Sequence, residues 1–288
     1  MNEALSDMLK KYTCHNAGDY ANALKEVIQE ISLLGLWRAK FFEKAAFYGG
    51  TALRILYALD RFSEDLDFSL LAPDPAFKID IYLGAISDEL ESFGLKVSIE
   101  RKEKTKESAI QSAFVKTTTM EHLLIIGMSR AMGKKIHPED LLKVRLEIDT
   151  DPPEGFSTEA KYLLTPSPFS VRTYSPSDLF AGKLHALLCR EWKGRIKGRD
   201  WYDFLWFIEQ RIPVHLRHLE LRLKQTGHLP LKETLNRETL LKLLKKRIHS
   251  VNFDQAKEDV ITFLKDPRKV EIWSPDFFEA VSSKLTAI

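Results

Sequence analysis

The spacing of apolar and polar residues divides the chain into stretches of different character. Within residues 1–45, Ala21, Leu24, Val27, Ile28, Ile31 and Leu34 recur at helical spacing, so the N-terminal region reads as helical. AAFYGG (45–50) is a short apolar run ended by two glycines, the pattern of a strand that stops at a tight turn. TALRILYAL (51–59) follows as a helix, with Thr51 placed to cap it. EDLDFSLL (64–71) reads as a strand, with Leu66, Phe68 and Leu70 on one side and Asp65, Asp67 and Ser69 on the other. A helical pattern over 75–93 ends at Gly94. Strand-like runs follow at LKVSIERK (95–102), SAFVKTTT (112–119), HLLIIGM (122–128) and KVRLEIDT (143–150). PSPFSVRTYS (166–175) reads as a loop leading to a short strand. From Ser177 onward nearly everything is helical, with breaks near Gly194, Pro213, Gly227 and Pro267. The change from strands to helices near residue 175 predicts an α+β domain over 1–174 and a helical domain over 175–288.

Composition narrows this picture only a little. The chain has 288 residues, 44% hydrophobic and 29% charged, the balance of a soluble globular protein. A net charge of +2 is too small to argue for nucleic acid on its own, so any basic surface must come from the arrangement of charges. Cys14 and Cys189 lie far apart, which excludes a disulfide framework and a Cys-x-x-Cys zinc site and suits a reducing compartment. No apolar run reaches the roughly 18 residues of a membrane span, and the N-terminus lacks the basic start and apolar core of a signal peptide. These features predict a cytoplasmic protein.

The informative chemistry lies in residues 47–68, FYGGTALRILYALDRFSEDLDF. Phosphoryl and nucleotidyl transfer require Mg²⁺ held by carboxylates beside a triphosphate. Two aspartates at i and i+2 of a strand project from one face and can share metal ions. The Gly49-Gly50-Thr51 turn opens a helix, where glycines admit a phosphate to the backbone and free N–H groups favour anions. An Asp-x-Asp pair on an exposed strand is by itself most often solvated. The order of strand, glycine turn, helix and acidic strand is what makes the combination specific.

GGTALR followed by RFSEDLDF resembles the first motif of the AbiEii/AbiGii-type toxin nucleotidyltransferases, which belong to the polymerase β-like superfamily. That family pattern is a Gly-Gly-Ser/Thr turn, a short helix and a Ser-x-Asp-x-Asp strand, matched by Gly49, Gly50, Thr51, Ser63, Asp65 and Asp67. Arg54 and Arg61 stand where the family often has arginine. The resemblance implies phosphate or nucleotide contact for Ser63, which lies two residues before Asp65. It also implies a third carboxylate from a neighbouring strand, to bind metal or take the proton of an attacking hydroxyl. Glu147 and Asp149 alternate on the polar side of the 143–150 strand, and spacing does not choose between them.

A second matching stretch is SPSDLFAGKLHALLCREWKGRIKGRDWYDFLWFI (175–208). Ser177 or Asp178 can cap its first helix. The family's acid-hydrophobic-x-Ala-x-Lys pattern falls on Asp178 to Leu187, and its Arg-Asp-x-x-Asp motif on Arg199 to Asp203. The resemblance implies that Lys183 contacts the triphosphate and that Asp200 is essential, with Asp203 one turn further on. Asp200 is a candidate to orient Lys183 or Arg54 by an ion pair. Arg190, Lys193, Arg195, Lys197 and Arg199, interleaved with Trp192 and Trp201, form a basic stretch suited to RNA, and Gly194 and Gly198 suggest that it is a mobile loop. LRHLELRLKQ (216–225) and RETLLKLLKKRI (237–248) are amphipathic helices with basic outer faces that fit one wall of an RNA groove or a docking surface. The resemblance runs from about residue 40 to the end.

Taken together, these readings predict a nucleotidyltransferase-like mixed sheet flanked by helices, followed by a helical domain that completes the site. The implied activity is metal-dependent transfer of NMP from an NTP to an RNA acceptor, such as the 3′ end of tRNA, with Mg²⁺ or Mn²⁺ as cofactor. The implied context is a toxin–antitoxin or phage-defence system with a cognate antitoxin. Transfer to a protein or small-molecule hydroxyl, and a nucleotide-binding regulatory module, are the alternatives.

Overall fold

A computed structural model describes residues 3–101, 110–118, 141–191 and 196–288. The HLLIIGM run, Trp192, Lys193, Gly194 and Arg195 lie outside the described residues. The chain forms two compact units, one of residues 1–57, 62–152 and 160–173, the other of residues 58–61, 153–159 and 174–288.

In the first unit, α1 (Glu3–Leu9) packs on α2 (Ala17–Arg38), and α2 packs in turn on α4 (Asp80–Ser92). Asn16 caps α2 by accepting from the Asp19 N–H. The strands are β1 (Ala45–Tyr48), β2 (Asp65–Leu70), β3 (Ser98–Arg101), β4 (Ile110–Thr118), β5 (Leu141–Asp149), β6 (Thr158–Leu163) and β7 (Phe169–Tyr174). They form one mixed sheet in the order β3-β4-β5-β2-β1-β7-β6. β2 runs antiparallel to β1 and parallel to β5. Between β1 and β2 lies α3 (Gly49–Tyr57). Leu66 and Phe68 of β2 and Val144, Leu146 and Ile148 of β5 are buried, as the alternation requires. Phe41 packs edge-on against Phe68 and Tyr82, joining β2 to α4 through an aromatic core. β6 was not legible in the sequence: residues alternate exposed and half-buried along it, with no buried face to mark a period.

The second unit is helical: α5 (Pro176–Cys189), α6 (Gly198–Glu209), α7 (Leu216–Gln225), α8 (Arg237–His249), α9 (Phe253–Ile261) and α10 (Pro275–Ser282). α5 packs on α6, α7 and α8, and α6 also packs on α9 and α10. The core holds Trp201, Phe204, Phe253, Trp273 and Phe278, with Phe253 and Phe278 stacked. Gly198 is not part of a loop. It opens α6, donates its N–H to Asp259, and lies so close to the Ala256 carbonyl that a Cβ there would collide with it.

The cap of α5 also differs from the sequence expectation. Ser175, not Ser177 or Asp178, is its N-cap, and its hydroxyl both faces the Asp178 N–H and donates to the Asp178 carboxylate. Asp178 is fully buried and also accepts from Ser157, His215 and His218. His218 in turn accepts from Arg222 Nε at 2.9 Å, which fixes it as a neutral ring donating through Nδ1. The acid that begins the second motif is therefore a structural hub.

Candidate functional site

The geometry of the first unit begins at the end of β1. Tyr48 is the last strand residue and Gly49 the first of α3, with no residue between them. Gly49 has φ +84°, in the left-handed region, and a Cβ on it would collide with Asp67 Oδ2. Both facts require glycine, and together they hold the N-terminus of α3 against the Asp67 carboxylate. Tyr48 is paired with Asp67 across the β1–β2 ladder, so the turn and the aspartate share a level by register.

Asp65 and Asp67 are half-buried on the same face of β2, with Leu66 buried between them. The parallel pairing with β5 sets Asp65 opposite Arg145, Asp67 opposite Glu147 and Ser69 opposite Asp149. By register Glu147 stands beside Asp67, and Asp149 one pair further along. Asp149 also accepts from the backbone N–H of Asp151 at 3.1 Å, binding it into the turn after β5. Arg145 was not singled out from the sequence. Its guanidinium lies 3.4 Å from Glu147 and 3.9 Å from Asp65, so one cation bridges acids of two strands. Strand alternation puts Arg145 and Glu147 on one side, but only the β2–β5 register reveals what they face.

Three residues of the first motif have specific internal partners. The Thr51 hydroxyl does not cap α3; it is buried and donates to the Asp65 carbonyl, tying the helix to the start of β2. Arg54 is ion-paired to Glu26 of α2 at 2.8 Å and lies 4.8 Å over the Phe62 ring. Ser63 precedes β2, which begins at Asp65, so strand alternation does not orient its hydroxyl; its carbonyl accepts from Gln29.

The Arg54 partner belongs to a buried acidic cluster. Glu26 also accepts from Tyr12 at 2.9 Å, and Glu30 lies one turn along α2. Burial, outweighing the nearby Lys11, pushes the Glu30 carboxyl up to about 7. An acid whose folded value exceeds its unfolded one favours the fold most at low pH. That contribution is lost as pH rises from the ordinary carboxylate range through about 7. Glu30→Gln is therefore expected to be nearly neutral at pH 5 and to stabilise by on the order of 2–3 kcal/mol at pH 8. Thermal melts of both proteins at the two pH values check this; an equal shift at both would contradict it.

In the second unit, Asp203 is the centre. It is fully buried, receives Arg61 Nε and Nη2 at 2.6 Å each, and pairs with Lys183 at 2.7 Å. Burial would raise its pKa, but the Arg61 charge, then that of Lys183, holds it below the ordinary carboxylate range. Asp203 thus orients Lys183, the part expected of Asp200; Arg54 has Glu26 instead. Asp200 lies in the first turn of α6 and pairs with Arg190 at 3.5 Å.

Several cations of this unit hold internal partners. Arg190 has Asp200, and Arg199 lies 4.0 Å over Phe263. On α8, Lys242 pairs with Glu238, and Lys245 and His249 with Glu279, while Arg247 donates to the last carbonyls of α5. Lys193 and Arg195 of the basic stretch lie outside the described residues.

Among the described residues no group of three or more His, Cys, Asp or Glu side chains is arranged as a metal cage, and no helix is long and apolar enough to cross a membrane. The fold has relatives among solved structures. A Helicobacter pylori protein assigned to the nucleotidyltransferases matches at TM-score 0.52 with 18% identity, over 90% of this chain and 92% of that one. JHP933 from Helicobacter pylori matches at TM-score 0.50 with 17% identity, over 91% and 90%. No match is found among curated proteins. The family model described as "Nucleotidyl transferase AbiEii toxin, Type IV TA system" matches residues 31–283, a span containing both motifs. The chain is therefore a transferase enzyme, a member of the AbiEii nucleotidyl transferase toxin family.

Proposed function

We propose that this enzyme transfers NMP from an NTP to a hydroxyl of RNA, in a reaction that depends on a divalent metal. The observation that carries the reading is the face shared by Asp65, Asp67 and Glu147, with the N-terminus of α3 held against Asp67. The donor set fits Mg²⁺ or Mn²⁺, because all its ligands are hard oxygens. Mg²⁺ beside phosphates is usually held by one or two carboxylates and the substrate itself. Asp65 and Asp67 would hold the metal, with Glu147 rather than Asp149 as the third acid. Bound there, the metal would supply charge neutralisation on the triphosphate.

The chain's own groups account for the remaining tasks. The first N–H groups of α3, at Gly49, Gly50 and Thr51, offer donors and a positive dipole end to a phosphate. Ser63 is a further hydrogen-bond donor in the same motif. Lys183 supplies a compact cation for a β- or γ-phosphate, held in one direction by Asp203. Asp200 is the remaining essential acid. Arg54 acts from its Glu26 pair, shaping α3 rather than reaching for nucleotide. Glu147 is also the acid suited to take the proton of the attacking hydroxyl.

The direct test is incubation with each labelled NTP, total RNA, and Mg²⁺ or Mn²⁺. Label in RNA, and in tRNA when fractions are separated, is expected; none with any NTP or metal would overturn the reading. A cognate antitoxin is expected to relieve growth arrest caused by expression, as Asp67→Ala should do without it.

A further inference from the structure

We infer that a basic groove on the first unit is the landing surface for the phosphodiester backbone of the RNA acceptor. The inference rests on RNA being the substrate. The groove, of about 560 Å³, is formed by the C-terminal end of α2, the segment leading to β1, and strands β6 and β7. Trp37, Arg38, Lys40, Ser170 and Arg172 line it, and Glu43 is its one lining carboxylate.

Three features favour a polyanion. The lining carries three permanent cations against one anion. Lys40 and Arg172 have no carboxylate within ion-pair distance among the described residues, whereas Arg38 shares its charge with Glu89 at 2.9 Å. Arg172 is also half-buried in the middle of a strand, where an unpaired guanidinium is costly to keep and has five donors to satisfy. The third feature is Trp37, 39% exposed at the groove although its ring packs against the buried Phe169. Cations spaced around an exposed indole are what a sequence-tolerant single strand needs: phosphates on the charges, a base on the ring. In the second unit's basic stretch, by contrast, Arg190 and Arg199 already hold internal partners.

The experiment compares the wild type with Lys40→Glu, with Arg38→Ala/Lys40→Ala/Arg172→Ala, and with Trp37→Ala. Binding of total tRNA without NTP is measured across a salt series, and RNA labelling is measured by steady-state kinetics. Removing three phosphate contacts should flatten the slope of log K against log salt by about 2. It should also raise KM for tRNA by at least tenfold with kcat unchanged, because the groove binds ground and transition states alike. Lys40 is exposed and unpaired, so Lys40→Glu guards against a trivial folding defect and should show the same trend. Unchanged slope and KM in the triple variant would overturn the groove. Wild-type enzyme that labels protein, but binds tRNA in a groove-dependent way, would overturn the acceptor and leave the groove standing. Wild-type enzyme that binds no RNA would overturn both.

Discussion

Asp67→Asn is expected to lower nucleotidyl transfer by at least about a thousandfold, roughly 4 kcal/mol of transition-state stabilisation. The substitution keeps shape and hydrogen-bonding capacity and removes only the charge that a divalent cation needs. Asp67 is half-buried at the solvent side of β2, so the melting temperature should stay within a few degrees. The β2–β5 register adds a discriminating pair. Glu147→Gln should fall with Asp67→Asn, because Glu147 stands opposite Asp67, while Asp149→Asn should cost less than about tenfold. Gly49→Ala should lose activity together with stability, since a Cβ there displaces the Asp67 carboxylate and strains a left-handed backbone. Initial rates of label incorporation and Mn²⁺ titration of each variant separate these cases. An Asp67→Asn enzyme with more than a tenth of wild-type activity would remove the carboxylate pair from the chemistry.

The parts of this arrangement that could be read from the sequence are those set by local periodicity. The strand–turn–helix–strand order at 45–70 rests on alternation and paired glycines, and β1, α3 and β2 follow it. What could not be read depends on partners distant in sequence. The pairing of β2 with β5 joins residues about eighty positions apart, so Glu147 and Asp149 are equivalent until the register is known. The same holds for Arg54, whose partner Glu26 lies on α2, and for Arg61, whose partner Asp203 lies on α6. Arg54 carries charge that the family motif suits to a nucleotide, yet it pairs with the buried Glu26, as Arg61 does with the buried Asp203. Thr51 illustrates a subtler failure. Its position fits a helix cap, but α3 starts two residues earlier because Gly49 can turn directly out of the strand. β6 failed for the opposite reason: with no buried face, its hydrophobic pattern carries no signal.

Asp203→Asn is expected to destabilise the protein by about 3–5 kcal/mol, the largest stability effect of any single site substitution considered. The reason is asymmetric. The pair of Asp203 with Arg61 adds little net stability over apolar residues of the same shape, but breaking it strands a guanidinium that is only 2% exposed. The carboxylate is held ionised by Arg61 and then Lys183, so its contribution is present above the ordinary carboxylate range and lost only as pH falls through its depressed value. A neutral amide offers neither the second acceptor oxygen nor the charge. Arg61→Met combined with Asp203→Leu should therefore recover much of the loss, whereas either change alone should not. Lys183→Met separates structure from chemistry: Asp203 keeps its bidentate Arg61 contact, so stability should fall by about 1 kcal/mol while transfer falls at least about a hundredfold. Asp200→Asn should cost little stability, because its partner Arg190 is 3.5 Å away and a third exposed. Denaturant unfolding of these variants and the wild type, with activity measured on the same preparations, distinguishes these outcomes. If Asp203→Asn unfolded at the wild-type midpoint, the buried triad would not be what fixes Lys183, and the orienting role would have to be sought at Asp200 after all.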